Sequence, residues 1–558
     1  MNFYRYLEKV KDNYRQAVKV EWLNPDESVN FEFTNSLYDM KADVNVNYQN
    51  GTRRTCTVVL NNDKNKFPVD FNNIWIGQKF KLWMGIFLDD ETPYYLPQGV
   101  FYVSNPTEVY NPTTRTMTLN GIDKWAYLDG TLFGRLIGSY QTNVGVNLYD
   151  AIKGLLSSNM GQDTLITQDN IEDYFDVTNS TYYFAGNGSV FTSNNKGSSK
   201  TTAQTILKAK RDLYVDFDYT YSCQDNADKF YLSVGSTDIE NGVSGNTTIK
   251  VYNGKISKGT IITFRYEKND DDLYTYEDVC SFSNFKVNLH NKIVRSPIDP
   301  ISPFLSPYFI GKTTNVPKID EETGKYEIDE DTGKYITEEK EVLLCPYTAT
   351  VERGNTYADV ILEYATILCA NVYYDVNGRF TLEPMIDTAD DITDTNKEIL
   401  WHYTVDEKTF LGLTQTFDFE KVHNDFVVLG NILNGYQFKA RVQNRNIMSN
   451  TCVQRIGLRP KEPYEDNQYV SDEQCKELAI YYAKTDIILQ RSGNIDSVSL
   501  FHLDVNKLVT ISTPNNNMSK ELFLITGFSL STSGTMSLNV TSVNILKDFD
   551  VVEVDVYE

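Results

Sequence analysis

Cysteine and histidine are scarce in this chain of 558 residues, which has seven of the first and four of the second. The cysteines are Cys56, Cys223, Cys280, Cys345, Cys369, Cys452 and Cys475, with no CxxC among them. An odd count at such wide spacing excludes a disulfide framework and a zinc ribbon and fits folding in a reducing cytoplasm. The thiols read as scattered small hydrophobes of the interior. His290, His402, His423 and His502 each stand alone, none paired at helical metal-ligand spacing. Long apolar runs are also missing. The most apolar stretch, Val360 to Val372, is interrupted by Glu363, and the first residues, Met-Asn-Phe-Tyr-Arg-Tyr-Leu-Glu-Lys-Val-Lys, lack an apolar core. Neither a membrane span nor a signal peptide is expected. Positive charge is in deficit, 52 Lys and Arg against 76 Asp and Glu, a net charge of −24 that argues against sequence-specific nucleic-acid binding. GxSxG, the P-loop, HExxH and the dinucleotide glycine fingerprint are absent, and Gly186-Asn187-Gly188 lacks the third glycine. A carboxylate pair could serve a glycosidase, but 76 acidic residues give any such pairing no specificity, and solvated surface acids are the plainer reading. No catalytic residue is assigned, and the chain is not expected to be an enzyme.

What the chain has in abundance is aromatic residues, 38 Tyr and 29 Phe, in a composition that is 41% hydrophobic. That excludes disorder and favours strands, and at roughly one domain per 150 residues the length implies several cores. Phe3, Leu7, Val10 and Tyr14 follow a helical spacing, with Asn2 as the cap. Alternation then takes over at Val18–Trp22, Val44–Tyr48 and Phe80–Ile86, with a tight turn at Asn50–Gly51 and a hairpin built from Gly99–Ser104 and Thr114–Leu119. These describe a small antiparallel barrel or sandwich over roughly the first 135 residues. A helix is expected at Asn147–Met160, another at Thr356–Ala370, and a third begins at a capping box formed by Ser471 and Gln474. Pro297, Pro300, Pro303 and Pro307 make a stiff connector, and the duplicated Ile319–Glu327 and Ile328–Ile336 segments read as an acidic hairpin.

Between about 180 and 288 the chain is almost purely strand-like. Leu213, Val215, Phe217, Tyr219 and Tyr221 alternate with Tyr214, Asp216, Asp218, Thr220 and Ser222, as in a β-sandwich of jelly-roll type. Two candidate sites lie in it. Tyr214 with Asp216 could stack on and hydrogen-bond a sugar, the alternative being packing at the core or rim. Asn269, Asp270, Asp271 and Asp272 offer four short oxygen ligands suited to calcium, the alternative being a solvated turn. No other cofactor is expected.

Several stretches resemble the central tail hub family of long-tailed bacteriophages. They are Gly99-Val-Phe-Tyr-Val; Thr116-Met-Thr-Leu-Asn-Gly-Ile-Asp-Lys-Trp-Ala-Tyr-Leu-Asp-Gly; Gly354-Asn-Thr-Tyr-Ala-Asp-Val-Ile-Leu-Glu-Tyr-Ala; Val372-Tyr-Tyr-Asp-Val-Asn-Gly-Arg-Phe-Thr-Leu-Glu-Pro; His423-Asn-Asp-Phe-Val-Val-Leu-Gly; Asp504-Val-Asn-Lys-Leu-Val-Thr-Ile; Phe523-Leu-Ile-Thr-Gly-Phe-Ser-Leu; and Gly534-Thr-Met-Ser-Leu. The resemblance covers about 1–160 and 292–550 and departs over 178–290, which looks like an inserted carbohydrate-binding-type sandwich. It implies a mainly β fold with minor α, an α+β chain with a hub β-barrel at 1–140, a helical connector at 141–177, the sandwich at 178–290, a Pro-rich linker and acidic hairpin at 291–345, an α+β hub domain at 346–420 and a second hub barrel at 421–558. It further implies a homotrimeric baseplate or tail-tip hub of the virion, assembled in the bacterial cytoplasm, adapting a sixfold tail tube to a threefold tip and lining the DNA conduit. Its partners would be a hexameric tail ring or distal tail protein, the tape measure protein, and a tail spike or fibre. The alternatives are an adhesin for host cell-surface glycan and a tail-associated cell-wall hydrolase, although no lysozyme or peptidase extension accompanies the barrels.

Overall fold

The computed structural model describes residues 2–553 apart from 13, 25, 35–38, 48–52, 63–66, 70–73, 112–114, 137, 157–162, 197–199, 226, 270–276, 290–292, 294–300, 319, 321–326, 330–335, 385–396, 406, 434–435, 467–468, 487–490, 514–517 and 544–550. The fold is mainly β, in several antiparallel sheets with a few helices. It divides into two compact units, one of 1–24, 29–156 and 301–558, the other of 25–28 and 157–300.

The first unit is built on a sheet of fourteen strands. Strict alternation creates its inner face. Lys41–Asn47 buries Ala42, Val44 and Val46; Arg54–Asn61 buries Cys56, Val58 and Leu60; Lys79–Phe87 buries Phe80, Leu82, Met84 and Ile86. The N-terminal strands do not close on themselves. Lys41–Asn47 pairs on one side with Arg54–Asn61 and on the other with Met518–Ser531, in the register Asp43↔Ser531 to Asn47↔Gly527. A second set of strands, Arg491–Val498, Leu508–Thr513, Met518–Ser531 and Thr535–Ser542, therefore continues the first, and one apolar cluster runs from Tyr6 through both to Val540. This second set also takes in Ile399–Thr404, parallel to Leu508–Thr513, and Phe410–Phe417. Sheet membership thus crosses the boundary expected at 421, because pairing between distant segments leaves no trace in local alternation. Asp425–Leu433, Tyr436–Asn444 and Tyr464–Glu465 form a separate four-stranded sheet with Val551–Glu553, and helix Asp472–Asp486 packs on it through Cys475, Leu478, Ala479 and Ala483.

Two helices, Asn2–Lys9 and Tyr357–Ile367, are shorter than their apolar patterns. Asn2–Lys9 buries Tyr6, and Val10 just beyond it is buried, whereas Phe3, expected on the inner face, is exposed. Helix Leu148–Leu156 lies in the span expected at Asn147–Met160, whose residues 157–160 are outside the described ones. Tyr357–Ile367 starts at a reciprocal capping box, Thr356 Oγ1 accepting from the Asp359 amide at 3.2 Å and Asp359 Oδ2 from the Thr356 amide at 2.7 Å. The Ser471 cap is half of the box expected: Ser471 Oγ accepts from the Gln474 amide, but Gln474 Oε1 accepts from the Val470 amide instead of that of Ser471. The Asn50–Gly51 turn and most of the duplicated acidic segment lie outside the described residues. The strands Thr313–Pro317 and Thr337–Glu341 at the base of that segment pair as a hairpin.

The second unit is a sandwich of a seven-stranded and a five-stranded sheet. Its interior is a stack of rings. Phe282 lies 4.0 Å from Phe264 and 4.6 Å from Phe191, centroid to centroid, with Phe285 edge-on to it and Phe217 edge-on to Phe264 and Phe285.

Candidate functional site

Three features of the chain bear on function: the junction that joins the two strand sets of the large sheet, the two edges of that sheet, and the outer face of the sandwich.

The junction begins with a β-bulge. Strands Lys79–Phe87 and Pro93–Val103 shift register between Leu82 and Trp83, which pair with Gly99 and Pro97 and leave Gln98 unpaired. Gln98 is fully buried there, its Nε2 donating to the Phe501 carbonyl at 2.9 Å. Gly99 has φ +150°, and a side chain on it would meet Arg54 Cδ at 2.7 Å. Past that glycine runs Arg54, 1% exposed. Its guanidinium donates to the Gln98 carbonyl at 2.9 Å and to Asp504 Oδ1 at 2.5 Å, and its amide donates to Asp123 Oδ2 at 2.9 Å. Asp123 also caps the short 3-10 helix Lys124–Tyr127. Burial pushes its carboxyl up to about 7 despite the opposing pull of Arg54 and Arg53. Nearby, Glu383 accepts from Lys397, from Asn506 Nδ2 at 2.7 Å and from Tyr373 Oη at 3.1 Å. His502 pairs through Nδ1 with Tyr6 Oη at 3.1 Å, and burial pulls its imidazole down to about 4. Arg54 and Asp504 are 450 residues apart, so sequence reading had no local signal by which to join them.

The strand order of the large sheet ends on Val29–Thr34 at one side and Phe410–Phe417 at the other. Among the described residues each has one strand neighbour, and each carries exposed apolar side chains: Val29 and Phe31 on the first, Leu411 and Phe417 on the second, with Phe419 just after it. Unpaired backbone next to exposed apolar side chains is a template for another strand.

In the sandwich, Tyr214 and Asp216 share the face of strand Leu213–Cys223 opposite its core-facing residues. The Tyr214 ring is half-buried, with Lys255 Nζ 5.4 Å from its centroid. Asp216 is 1% exposed, and its Oδ2 accepts from Asn253 Nδ2, which also donates to the Ile293 carbonyl. Its carboxylate thus helps to hold the segment at Ile293 against the sheet. Asn269 is exposed, and its amide donates to Asp228 Oδ1 at 2.7 Å, while Tyr266 Oη donates to Asp228 Oδ2. Asp270, Asp271 and Asp272 lie outside the described residues. His402 bonds Thr510 Oγ1 and His423 bonds the Lys421 carbonyl, while His290 lies outside the described residues.

No family model matches the chain, and no curated protein does. Among solved structures it is similar to the 43 kDa tail protein of prophage MuSo2 from Shewanella oneidensis, at 8% identity over 95% of this chain and 98% of that chain, with a TM-score of 0.41. It is similar to a tail protein from Neisseria meningitidis MC58, at 9% identity over 95% and 97%, TM-score 0.42. It is also similar to prophage tail protein gp18 from Listeria monocytogenes EGD-e, at 7% identity over 96% and 95%, TM-score 0.37. None of the three reaches a TM-score of 0.5.

Proposed function

We propose that this chain is the structural hub of a bacteriophage tail, a homotrimer at the baseplate or tail tip. One observation carries the reading: two strand sets from the two ends of one chain share a continuous sheet that stops, at both ends of its strand order, on a strand with one neighbour among the described residues and with exposed apolar side chains. Pairing Val29–Thr34 of one copy with Phe410–Phe417 of the next is a head-to-tail contact, which closes a ring when the rotation permits. Three copies then present six barrels. Such a ring meets a hexameric tail ring or distal tail protein on one side and a threefold spike or fibre on the other, with the tape measure protein ending at its channel. The net charge of −24 suits a conduit, since like charge keeps DNA from adhering to its wall. The resemblance of both barrel regions to the tail hub family supports the same reading. Mass measurement in solution with electron-microscopic class averages tests it. A threefold ring is expected, and Phe31→Lys or Leu411→Lys should yield monomers that melt as the wild type does. A wild-type chain that stays monomeric at high concentration and forms no threefold particle overturns it.

A second reading makes the sandwich a glycan reader for host cell walls. The partly exposed Tyr214 ring with Lys255 Nζ over it, an aromatic surface and a hydrogen-bond donor in one place, supports it. Full-length protein and its Tyr214→Ala variant on a glycan array, with and without calcium, decide the matter. No wild-type binding in either condition removes this role.

A further inference from the structure

The 23 residues from Lys439 to Lys461 contain Lys439, Arg441, Arg445, Arg455, Arg459 and Lys461 and not one acidic residue, so that the rest of the chain carries −30. This basic island leads out of strand Tyr436–Asn444 into a loop whose tip is apolar. Ile447 is 68% and Met448 74% exposed, with Ile456 and Leu458 exposed beside them. The loop is nevertheless tightly built. Asn444 Nδ2 donates to Ser449 Oγ at 2.9 Å, and Asn446 Oδ1 accepts from the Met448 amide at 2.9 Å. Buried Asn424 donates to the carbonyls of Thr451 and Gly457 and accepts from the Arg459 amide. Arg455 braces the loop through the Ile447 carbonyl and Asn450 Oδ1. A loop that satisfies its own backbone while holding four apolar side chains in water is shaped before it meets a partner, which lowers the ordering cost of association.

A complementary socket lies on the same chain. A pocket of about 270 Å³ is walled by Phe309, Val316, Leu344, Tyr347, Leu368 and Leu478. Glu477 stands on it, its carboxylate accepting from Thr314 Oγ1 at 3.0 and 3.2 Å, with no cation at ion-pair distance among the described residues. The other charged group on the pocket, Lys312, lies over the Tyr308 ring. Arg445, Arg455 and Arg459 likewise have no carboxylate at ion-pair distance among the described residues.

We propose that the 446–458 knuckle is a self-assembly contact, seating Ile447 and Met448 of one copy in the Phe309–Leu478 pocket of a second copy, with the unpaired arginines facing Glu477. The inference rests on the hub reading only in taking a second copy as the occupant. A second copy fits better than nucleic acid or an anionic membrane, because the −30 of the remaining chain attracts the basic island and repels both of those, and the tip has no aromatic residue to stack on a base or anchor at a lipid headgroup.

The test is self-association of the full chain by sedimentation, from low to high salt. Ile447→Asp with Met448→Asp should weaken association at least tenfold without moving the melting temperature, since both side chains are already in water. Arg445→Glu with Arg459→Glu, or Glu477→Lys alone, should each weaken it several-fold and flatten its salt dependence, and combining the three should recover part of the loss. If association persists unchanged in the knuckle and Glu477 variants but is lost in Phe31→Lys, the knuckle contact is wrong and the edge-paired hub stands. If the wild type stays monomeric, or if the knuckle variants lose binding to single-stranded DNA or anionic vesicles and not to one another, the self-contact is overturned.

Discussion

The two units are held together by different means, and the difference says where each is vulnerable. The sandwich is closed by aromatic rings contributed by strands within one stretch of chain, and its central ring, Phe282, meets Phe191, Phe264 and Phe285. The other unit draws on strands from both ends of the chain, and its junction adds buried polar contacts to a continuous apolar core: Arg54 on Asp504, Gln98 on Phe501, Glu383 on Lys397 and Asn506. An apolar core degrades in proportion to the atoms removed from it. A buried ion pair fails abruptly when one member is deleted, because the other is left charged and unsolvated.

The largest effects should therefore separate the units. Arg54→Ala leaves Asp504 without its partner and should destabilise the barrel unit by about 3–5 kcal/mol. Calorimetry should show the barrel transition falling while that of the sandwich stays in place. Phe282→Ala is the reciprocal experiment, costing about 3–4 kcal/mol through lost burial and a cavity, with only the sandwich transition moving. A common shift in both transitions from either variant would erase the comparison.

The titrating groups sharpen it next. Asp123, raised to about 7 in the fold from an unfolded value near 3.9, holds its proton more tightly when folded. It costs stability as pH climbs from about 4 to 7. His502, lowered to about 4 from 6.5, must be neutral in the fold, so it costs stability as pH falls from 6.5 to 4. The two slopes oppose one another, and the wild-type barrel transition should be nearly flat over that range. Asp123→Asn should expose the His502 slope and His502→Gln the Asp123 slope, each by about 2–3 kcal/mol across the window. The sandwich transition should follow neither.

Legibility from sequence follows the same division. In the sandwich the residues at 213–221 announced the inner face by alternation, and Phe217, Tyr219 and Tyr221 are buried together. In the barrels the individual strands were equally legible, but the pairing of Lys41–Asn47 with Met518–Ser531 was not, since a two-residue period names a face and never a neighbour. Tyr6 lies one position away from the stripe Phe3, Leu7, Val10 and Tyr14, of which Val10 is buried and Leu7 and Tyr14 pack on the core while Phe3 is exposed, so the inward face is broader than the stripe and includes Tyr6. Asp216 was legible as an outward-facing acid, but the Asn253–Ile293 contact that covers it was not. The basic island at 439–461 needed only a running charge count in a chain of −24. Its apolar tip acquires meaning only once Ile447 and Met448 are seen in solvent.

The smallest expected effect tests whether local capping matters inside a unit locked over long range. Thr356 and Asp359 satisfy two amides at the start of helix Tyr357–Ile367, whose Val360, Ile361 and Tyr364 are buried in the barrel unit. Thr356→Ala removes one hydroxyl acceptor from an exposed cap and should cost about 1 kcal/mol. Thr356→Ser keeps the oxygen and should cost a few tenths. If the long-range junction dominates the cooperativity of the barrel unit, this loss appears in full in the global barrel transition, because the helix cannot fray without the sheet. If Thr356→Ala instead leaves the transition unmoved and raises amide exchange only in the first turn after Thr356, the helix opens by itself, and the unit is less tightly coupled than its Arg54–Asp504 junction implies.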